Sequence, residues 1–596
     1  MFITKNHIIF KNKSFSRVGF TLVETLIAIG IFAIISVGTY LSYSNVLDIT
    51  IASQLSSTAL TVMANELEVI RSIDYKDVGT QGGSPVGILL AQKNINFSGF
   101  NFILVTTVRN IDDPFDSVLG GIPNDISPAD YKVVELELLC TNCPRFIPVK
   151  TTTTVAPANL ESSSKNGNLF VTAIDASGQP IAQANVSVIN SSVNPVISIN
   201  DVTNNNGQLQ LVDIATSSLG YQIIVTKSGY STEKTYKMGL PQNPNPVKPH
   251  ATVVSQQVTL TTFAIDRLST QNITTRNKFC QAVPNINFNQ QGTKLIGTDP
   301  DVLKYSTDDE TGANGVKATQ IEWDAYSIQN TDPVYSVAGM SMLSSFNVNP
   351  NTSYSTNWLM EINNPLSFLV SVQVAGGQMI DEADVSLVKS GFSENRVSGH
   401  NYFDQTDWSG SQFTQKSGNI EESNPAGEVH LGQINGKYAS MSLEWLESQT
   451  FDMGAAANFY KLKWNPVGQP VETGIDSLKI QIATNNDNTT WNYVGPDGTS
   501  ATYYVNSDSA INASHNGNRY LRYKAYLITE NQDFTPRLTD INIEFSSPCI
   551  PAGQSFFSGL QNGTYTLTIQ KSGYQIYTAQ INISNPWQEH RAILIP

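Results

Sequence analysis

One carboxylate stands alone in the most apolar part of this chain. Residues 20–41, FTLVETLIAIGIFAIISVGTYL, contain a single charged side chain, Glu24. A helix of this length is long enough to cross the hydrocarbon core of a bilayer. A charge in that environment is costly unless it meets a cation. Glu24 therefore marks a functional contact that needs a positively charged partner.

The residues before the apolar run form a basic leader. They include Lys5, Lys11, Lys13 and Arg17 and no acid. This charge pattern predicts an N-terminus that stays in the cytoplasm while the rest of the chain is carried out. A secretory signal has its small residue after the apolar run, whereas Gly19 precedes it here.

Gly19, Phe20 and Glu24, in this order after a basic leader, resemble the prepilin motif of type IV pilins and of the pseudopilins of type II secretion. The resemblance implies that a membrane prepilin peptidase cuts between Gly19 and Phe20 and methylates the new terminus at Phe20. It also implies that Glu24 pairs with the N-terminal amine of a neighbouring subunit during assembly. An amine and a carboxylate buried together stabilise each other. The plain alternative is a signal anchor with a stray glutamate.

A second group of carboxylates lies in one polar segment, with five acids in nineteen residues: Asp112, Asp113, Asp116, Asp125 and Asp130. Calcium accepts six to eight oxygen ligands in loose geometry, so this segment is a candidate Ca²⁺ site. The Asp-Pro and Ser-Pro pairs in it are also typical turn formers, and the spacing is not that of an EF-hand. A turn-forming loop without metal is therefore the alternative.

Four cysteines fit an oxidising destination. Cys140 and Cys143 form a C-x-x-C without a second pair or a histidine at zinc-finger spacing, which favours a local disulfide over a metal site. Cys280 and Cys549 are either free or bridge neighbouring modules.

Aromatic residues gather around a turn at 495–498: Trp491, Tyr493, Tyr503 and Tyr504. Exposed aromatic faces stack on sugars, whereas buried ones are core, so a glycan platform and structural packing are both open, with packing favoured. Glu322 and Asp324 could form a glycosidase-like carboxylate pair. Strand alternation places both on one face, and we favour a solvated strand.

Catalytic motifs are missing from the sequence. The six histidines are isolated, and no HExxH, Walker loop, dinucleotide fingerprint or nucleophile elbow occurs. We therefore expect a protein that is not an enzyme and that has no cofactor apart from the candidate calcium. The net charge of −15 argues against a nucleic-acid partner.

Helical spacing continues beyond the apolar run to about Ile73. Its stripe consists of Leu55, Ala59, Val62, Met63, Leu67 and Ile70. Partly alternating segments at 100–109 and 131–139 predict strands on which this stripe packs. A long helix plus an antiparallel sheet is the pilin pattern, and the segment resembles minor pilins or minor pseudopilins.

The remaining chain repeats itself. Residues 178–188 match 377–387 position for position, and 207–230 match 553–574 in order and in near spacing. These repeats resemble the carboxypeptidase regulatory-like or CnaB-like family of seven-stranded, prealbumin-type β-sandwiches. The second copy is interrupted by a segment that resembles discoidin or carbohydrate-binding jelly rolls.

We therefore predict a multidomain chain in which an α+β pilin is followed by all-β prealbumin-like sandwiches and a jelly roll. The predicted order is a leader at 1–19, a pilin-like domain at 20–150 with its transmembrane helix at 20–41, a flexible linker at 151–167, a sandwich at 168–263, a diverged sandwich at 278–365, a sandwich at 366–415 plus 546–596, and an inserted jelly roll at 416–545.

The function that follows is a minor pilin or pseudopilin of a type IV pilus or of a type II secretion-like filament. It would be a single-pass protein of the inner, cytoplasmic membrane before assembly and would lie in an extracellular filament at the cell surface afterwards. Its expected partners are prepilin peptidase and other pilin subunits, and its bulk favours the filament tip. The alternative is a surface adhesin whose jelly roll binds a glycan or a protein, with the pilin part only a delivery anchor.

Overall fold

One continuous helix opens the part of the chain that the structure describes. The computed structural model describes residues 22–141, 143, 146–158, 164–342 and 344–596. The helix spans Leu22–Arg71 and has 50 residues. Its most apolar window has a mean hydropathy of 2.0 with none of that window buried, and among the described residues it is the one helix long and apolar enough to cross a membrane.

Hydroxyl side chains do not interrupt this helix because they bond to its own carbonyls. Thr39 Oγ1 donates to Ile35 O at 2.8 Å, and Thr50 Oγ1 donates to Val46 O at 2.8 Å. Such bonds satisfy polar groups that have no other partner in an apolar setting.

The second half of the helix packs on a four-stranded antiparallel sheet. As predicted, Leu55, Ala59, Val62, Met63 and Ile70 are buried, and Leu67 is partly buried. They meet a sheet core that consists of Phe102, Leu104, Val108, Val134, Leu136 and Leu138. The strands follow chain order: Gln92–Phe97, Phe100–Ile111, Tyr131–Cys140 and Val149–Val155.

The last of these strands corrects the predicted linker at 151–167. Thr151 to Thr154 belong to Val149–Val155, which pairs antiparallel with Tyr131–Cys140. Four consecutive β-branched residues favour a strand. In the remainder of the predicted linker, residues 159–163 lie outside the described residues.

The chain divides into two compact units. The first runs from the helix to Thr226, with Thr232–Lys237 and Pro249–Ala264; the second contains Lys227–Ser231, Met238–Lys248 and Ile265–Pro596.

The first unit contains a β-sandwich after the helix and its sheet, called the first sandwich here. Its strands are Gly167–Ile174, Asn185–Asn190, Ile197–Val202, Gln208–Ile214, Ser217–Thr226, Glu233–Lys234, Ala251–Val253 and Val258–Ala264. They form two sheets around a core that includes Val171, Val188, Tyr221 and Phe263.

The second unit holds two further sandwiches. The middle sandwich consists of Ser269–Arg276, Asn287–Gly292, Ser306–Glu310, Val316–Ile321, Asp324–Asn330, Tyr335–Met340, Ser345–Val348 and Ser353–Ile362. The split sandwich consists of Ser367–Val374, Asp384–Lys389, Phe392–Val397, Gln554–Phe557, Gly563–Gln570, Tyr577–Ile583 and Trp587–Leu594. Asn245–Pro246, Leu295–Thr298 and Val302–Leu303 form a small separate sheet.

All three sandwiches share one topology. In each, the last strand lies parallel to the first, with Val258 opposite Asn168, Ser353 opposite Thr270 and Trp587 opposite Ser367. The middle sandwich starts with Ser269–Arg276 rather than at residue 278 as predicted. The sequence did not show this because the strand, STQNITTR, has only one strongly apolar residue.

A buried hydroxyl recurs at the same place in the three sandwiches. Thr203 Oγ1 accepts from Ala184 N at 2.9 Å, Ser398 Oγ accepts from Ala383 N at 2.9 Å, and Thr311 Oγ1 accepts from Ile286 N at 3.0 Å. Each hydroxyl satisfies the amide that opens the second strand, at a point where the preceding residue turns the backbone. The repeated motif therefore preserves a local hydrogen-bond arrangement as well as a strand pattern.

The inserted domain interrupts the split sandwich and starts earlier than predicted. Its first strand is Asn401–Gln405, so the predicted start at 416 is wrong. The other strands are Phe413–Lys416, Ile420–Glu421, Val429–Leu431, Gln433–Ile434, Lys437–Tyr438, Glu444–Ser448, Phe451–Asn465, Leu478–Asn485, Ser509–Ala510, Asn518–Leu527, Arg537–Leu538 and Asp540–Ser546. Short 3-10 helices lie at Val471–Thr473 and Ala513–His515 in this domain. Another, Tyr75–Asp77, follows the N-terminal helix in the first unit.

An eight-stranded sheet forms most of the inserted domain. The long strand Phe451–Asn465 pairs first with Asn518–Leu527 and then with Asp540–Ser546, so it joins two parts of this sheet around one core. Within that core, Trp408 Nε1 donates to the hydroxyl of Tyr523 at 2.6 Å, and that hydroxyl donates to Gln405 Oε1 at 2.6 Å.

Candidate functional site

The N-terminal motif lies only partly within the described residues. Gly19 and Phe20 lie outside them, and Glu24 lies in the helix with its side chain not described. The first turns of the helix expose large apolar side chains, with Leu22 78%, Phe32 72% and Ile34 75% accessible. Exposure of these apolar side chains to water is unfavourable. Such a surface is therefore suited to contact with lipid or with another apolar helix.

The acidic loop uses its carboxylates to bond its own backbone. Asp112 Oδ2 accepts from Leu119 N at 3.1 Å, Asp113 Oδ1 from Phe115 N at 3.1 Å and Asp125 Oδ1 from Ser127 N at 2.8 Å. Asp130 accepts from Asp113 N, and Asp116 is exposed. Across the described residues, no three His, Cys, Asp or Glu side chains gather as a metal-binding group. The hydrogen bonds that these carboxylates accept are thus those expected of the alternative, a turn-forming loop.

The pKa of Asp112 is raised to about 6, mainly by burial and to a smaller extent by the nearby carboxylates of Asp125, Asp130 and Asp116. The bond from Leu119 N acts in the opposite direction. The charge of the Asp112 carboxylate therefore changes at mildly acidic pH.

A buried lysine was missed in the sequence. Lys132 is 6% exposed, and its Nζ donates to Tyr75 O at 2.8 Å and to Val78 O at 2.7 Å. Burial lowers its pKa. Lys132 ties the sheet to the turn that follows the helix. Strand alternation was the sequence signal that could have revealed this burial, because Lys132 lies at an inward-facing position in register with Val134, Leu136 and Leu138.

An ion-pair cluster connects the four-stranded sheet that packs on the helix with the first sandwich, inside the first unit. Arg109 donates through Nε to Asp201 Oδ2 at 2.7 Å and through Nη2 to Asp201 Oδ1 at 2.6 Å. Its Nη1 also donates to Glu135 Oε2 at 3.1 Å. The hydrogen bond to Asp201 raises the pKa of Arg109 against the effect of burial. No local sequence signal pairs residues 92 positions apart.

Both cysteine pairs are disulfides in the structure. Cys140 bonds to Cys143. Cys280 bonds to Cys549, across a sequence separation of 269. These two cysteines were predicted to be either free or bridged between neighbouring modules, and the structure has the bridge. This bond joins a turn of the middle sandwich to the point where the chain leaves the inserted domain.

The residue before Cys280 lies partly buried against the inserted domain. Phe279 packs against its core, next to Phe403 and Phe545. Lys278 Nζ donates to Tyr402 O at 2.7 Å. Gly454 makes room for this turn: it has a φ of +71°, and a Cβ there would overlap Phe279 O. The middle sandwich, the split sandwich and the inserted domain are therefore joined covalently and by packing.

The predicted aromatic cluster lies at one edge of the inserted domain and is not a single open platform. Ile482 N donates to Val494 O at 3.1 Å and Ile480 N donates to Tyr504 O at 2.9 Å, so the aromatic loop pairs with the strand Leu478–Asn485. Tyr504 is 1% exposed and belongs to the core, so at this residue the structure has the favoured alternative, packing, and offers no ring face to a glycan. Its place opposite Ile480 in a pairing strand explains the burial.

The other three aromatic residues are partly buried beside cations. The guanidinium of Arg522 lies 4.2 Å from the Trp491 ring, Lys524 Nζ lies 5.6 Å from the Tyr493 ring, and Lys479 Nζ lies 4.4 Å from the Tyr503 ring. Trp445, which sequence analysis did not single out, has Lys524 Nζ at 3.5 Å. These contacts occupy ring faces that a sugar would need.

The carboxylate pair at 322 and 324 is not a solvated strand face. Glu322 is 8% exposed and accepts from Lys304 Nζ at 2.8 Å. Asp324 accepts from Thr293 N at 2.9 Å. The expected continuous strand is wrong at this place, because Val316–Ile321 and Asp324–Asn330 belong to different sheets and Glu322 lies in the crossing between them.

Comparisons with known proteins give structural similarities only. No protein-family model matches the chain, and no curated protein matches it. Among solved structures, the chain is similar to the Bacillus anthracis TIE protein, with 10% identity over 85% of this chain and 73% of that chain and a TM-score of 0.16.

Two pilins also match parts of the chain. One is a Streptococcal ancillary pilin, with 9% identity over 38% of this chain and 75% of that chain and a TM-score of 0.18. The other is GBS52, the minor pilin of the Gram-positive pathogen Streptococcus agalactiae, with 9% identity over 33% of this chain and 96% of that chain and a TM-score of 0.16. At these TM-scores the similarities carry no argument about function.

Proposed function

We propose that this chain is a minor pilin or pseudopilin of a type IV pilus or a type II secretion-like filament, which displays its β-domains outside the cell. In this proposal prepilin peptidase cuts between Gly19 and Phe20 and methylates Phe20. The helix resides in the inner membrane with its N-terminus in the cytoplasm, and later joins other subunits in the filament core. Glu24 then pairs with the terminal amine of a neighbouring subunit.

The observation that carries the proposal is the combination of this motif with the helix that follows it. Leu22–Arg71 is exposed and apolar in its first half and packs on an antiparallel sheet through its second half. A filament subunit needs both surfaces, one for its neighbours and one for its own globular head. The β-domains after this head are large, and their bulk favours the filament tip over the shaft.

The processing step is tested by mass spectrometry of the mature N-terminus after co-expression with a prepilin peptidase. We expect a terminus at Phe20 that carries a methyl group. A Gly19→Leu variant is the matched control and should remain at full length, because the residue at the cut is changed while the apolar run is kept. An unprocessed wild-type chain, or a cut after the apolar run, would contradict the proposal.

The assembly role is tested separately by Glu24→Ala and Glu24→Gln in a filament-forming host. We expect normal processing of both variants and loss of incorporation into sheared filaments. Normal incorporation of Glu24→Ala would favour the alternative, an adhesin for which the helix is only an anchor. The exposed side chains of Val471 and Ile475, on one loop of the inserted domain, favour that alternative.

A further inference from the structure

The loops at one end of the inserted domain lie far from the place where the chain enters and leaves it. Asn401 pairs with Phe545 at the entry, whereas Asn465 pairs with Asp540 at the opposite end of the same sheet. The segment after Asn465 and the segment before Asp540 therefore project from the distal end. Gln469 Oε1 accepts from Arg537 N at 2.8 Å, which holds these two segments together.

Large apolar side chains point outward from this end. Val471 and Ile475 are each 90% exposed, and Met441 is 73% exposed. Two hydroxyl residues of the same loop are buried instead: Thr473, between Val471 and Ile475, is 1% exposed, and Ser477, two residues after Ile475, is 2% exposed. Folded proteins normally bury the aliphatic residues and expose the hydroxyls, so this inversion indicates an interaction surface.

The loop is held rigidly in this inverted arrangement. Thr473 Oγ1 donates to Ser477 Oγ at 2.8 Å, Glu530 N donates to Thr473 O at 3.0 Å and Ile528 N donates to Ser477 O at 2.9 Å. Gly474 has a φ of +92°, and a Cβ there would overlap the side chain of Glu530. A preorganised loop loses little conformational entropy on binding.

Met441 is held beside this loop by the same segment. Met441 N donates to Thr529 O at 2.8 Å, next to the residue that bonds Thr473. Met441, Val471 and Ile475 thus flank one short stretch of backbone, Thr529 and Glu530. We call these three apolar residues the distal tip.

The charges around the distal tip are negative. Glu472, Asp476 and Glu530 are exposed, and none of them forms an ion pair within the described residues. Two cations of the adjoining segments are engaged in ion pairs, since Lys437 pairs with Asp533 and Arg537 Nη1 lies 3.4 Å from Glu428 Oε2. An anionic lipid surface would be repelled by these acids, and a second copy of the tip would bring acids against acids.

We propose that the distal tip is a docking surface for a protein whose apolar cleft is rimmed by lysine or arginine. Val471, Ile475 and Met441 enter the cleft, and Glu472, Asp476 and Glu530 meet the basic rim. The proposal does not depend on how the chain is anchored, because it concerns the inserted domain alone.

The test uses the full chain in phosphatidylcholine nanodiscs and two synthetic amphipathic peptides with one shared apolar face. One peptide flanks this face with lysines and the other with glutamates. We expect the lysine peptide to bind more tightly, and Val471→Ser with Ile475→Ser to weaken its binding by about tenfold or more. Val334→Ser, at an apolar position that is 56% exposed in the middle sandwich, is the matched control and should bind as the wild type does.

Charge reversal tests the rim by itself. Glu472→Lys with Asp476→Lys should reverse the preference between the two peptides while the fold is retained. Equal binding of the two peptides, or unchanged binding by the serine variant, would overturn the proposal. Binding to phosphatidylglycerol nanodiscs in preference to the lysine peptide, or self-association lost in the serine variant, would also overturn it by assigning the tip to lipid or to a second copy.

Discussion

Phe279 of the middle sandwich lies flat against Phe545 of the inserted domain, with ring centroids 6.2 Å apart and ring planes 5° apart. The adjacent residue, Cys280, is bonded to Cys549, shortly after the inserted domain ends. One turn of the middle sandwich is therefore packed against the inserted domain. It is also bonded to the segment that connects the inserted domain to the split sandwich. Such a junction should make the second unit unfold as one cooperative body.

Removal of the Phe279 ring should weaken this junction while the disulfide stays intact. We expect Phe279→Ala to lower the free energy of unfolding by about 2–3 kcal/mol, because the contacts of a large, partly buried side chain are lost. Urea unfolding followed by tryptophan fluorescence measures the change. Phe534→Ala, at a ring that is 38% exposed, is the control and should cost clearly less. Equal losses in the two variants would show that Phe279 does not connect the domains.

The two disulfides should contribute unequally to stability. Cys280 and Cys549 are separated by 269 positions, whereas Cys140 and Cys143 are separated by 3. In the chain-entropy model, the long closed loop contributes up to about 5 kcal/mol and the short one much less. We expect the Cys280→Ser, Cys549→Ser double variant to unfold at clearly lower denaturant concentration than the Cys140→Ser, Cys143→Ser double variant. The reverse order would contradict the entropic account.

Arg109 should be difficult to replace even with lysine. Its guanidinium contacts both oxygens of Asp201 and also Glu135, and the Asp201 side chain is 7% exposed. A lysine cannot form the same pair of parallel bonds. We expect Arg109→Lys to cost about 1–2 kcal/mol and Arg109→Ala to cost more, because Asp201 is then left buried without its partner.

A double-mutant cycle with Asp201→Asn isolates this interaction. The coupling free energy should exceed that of the more exposed pair Lys150 and Glu137, whose charged atoms lie 3.2 Å apart. Equal coupling in the two pairs would mean that burial does not strengthen the Arg109 contact.

His515 should make the inserted domain sensitive to acid. Burial lowers its pKa from 6.5 to about 4, and the residue is 3% exposed. Since the unfolded state binds the proton more readily, the stability that depends on neutral His515 is complete above the unfolded pKa and is lost as the pH falls toward the folded value. We expect a loss of about 2 kcal/mol between pH 7 and pH 5. His515→Gln should reduce this slope, whatever its effect at neutral pH, and an unchanged slope would contradict the prediction.

Sequence reasoning identified the elements that have a strong period or repeat. The stripe from Leu55 to Ile70 and the two repeated sandwich motifs were visible because each is a local pattern. The contacts that join domains were not visible. Two such contacts, Arg109 with Asp201 and Phe279 with Phe545, join chain segments that are distant in sequence. Polar strands such as STQNITTR were also missed, because they have too few apolar residues to show strand alternation.

The sequence also could not predict which of the aromatic residues are exposed and which are buried. Tyr503 and Tyr504 are neighbours of the same type, yet Tyr504 is core and Tyr503 lies beside Lys479. Strand alternation separates them, but the register that decides which one faces inward is set by pairing with the strand Leu478–Asn485. The distal tip was missed for the same reason, since Val471 and Ile475 look like ordinary buried residues in a sequence.

Asp112 should give the acidic loop a pH dependence opposite to that of His515. Its pKa of about 6 lies above its ordinary value, so the folded loop favours the protonated acid. As the pH rises from the ordinary value toward 6, the unfolded state releases its proton first and the loop loses stability. We expect the protection of the Leu119 amide, measured by hydrogen exchange and corrected for intrinsic rates, to decline over this range. Asp112→Asn should abolish the decline, and Asp116→Asn, at an exposed position, should not. Added CaCl₂ distinguishes the two interpretations of the loop: bound calcium would favour ionised Asp112 and restore protection at the higher pH, whereas a loop held only by its own turns would not respond.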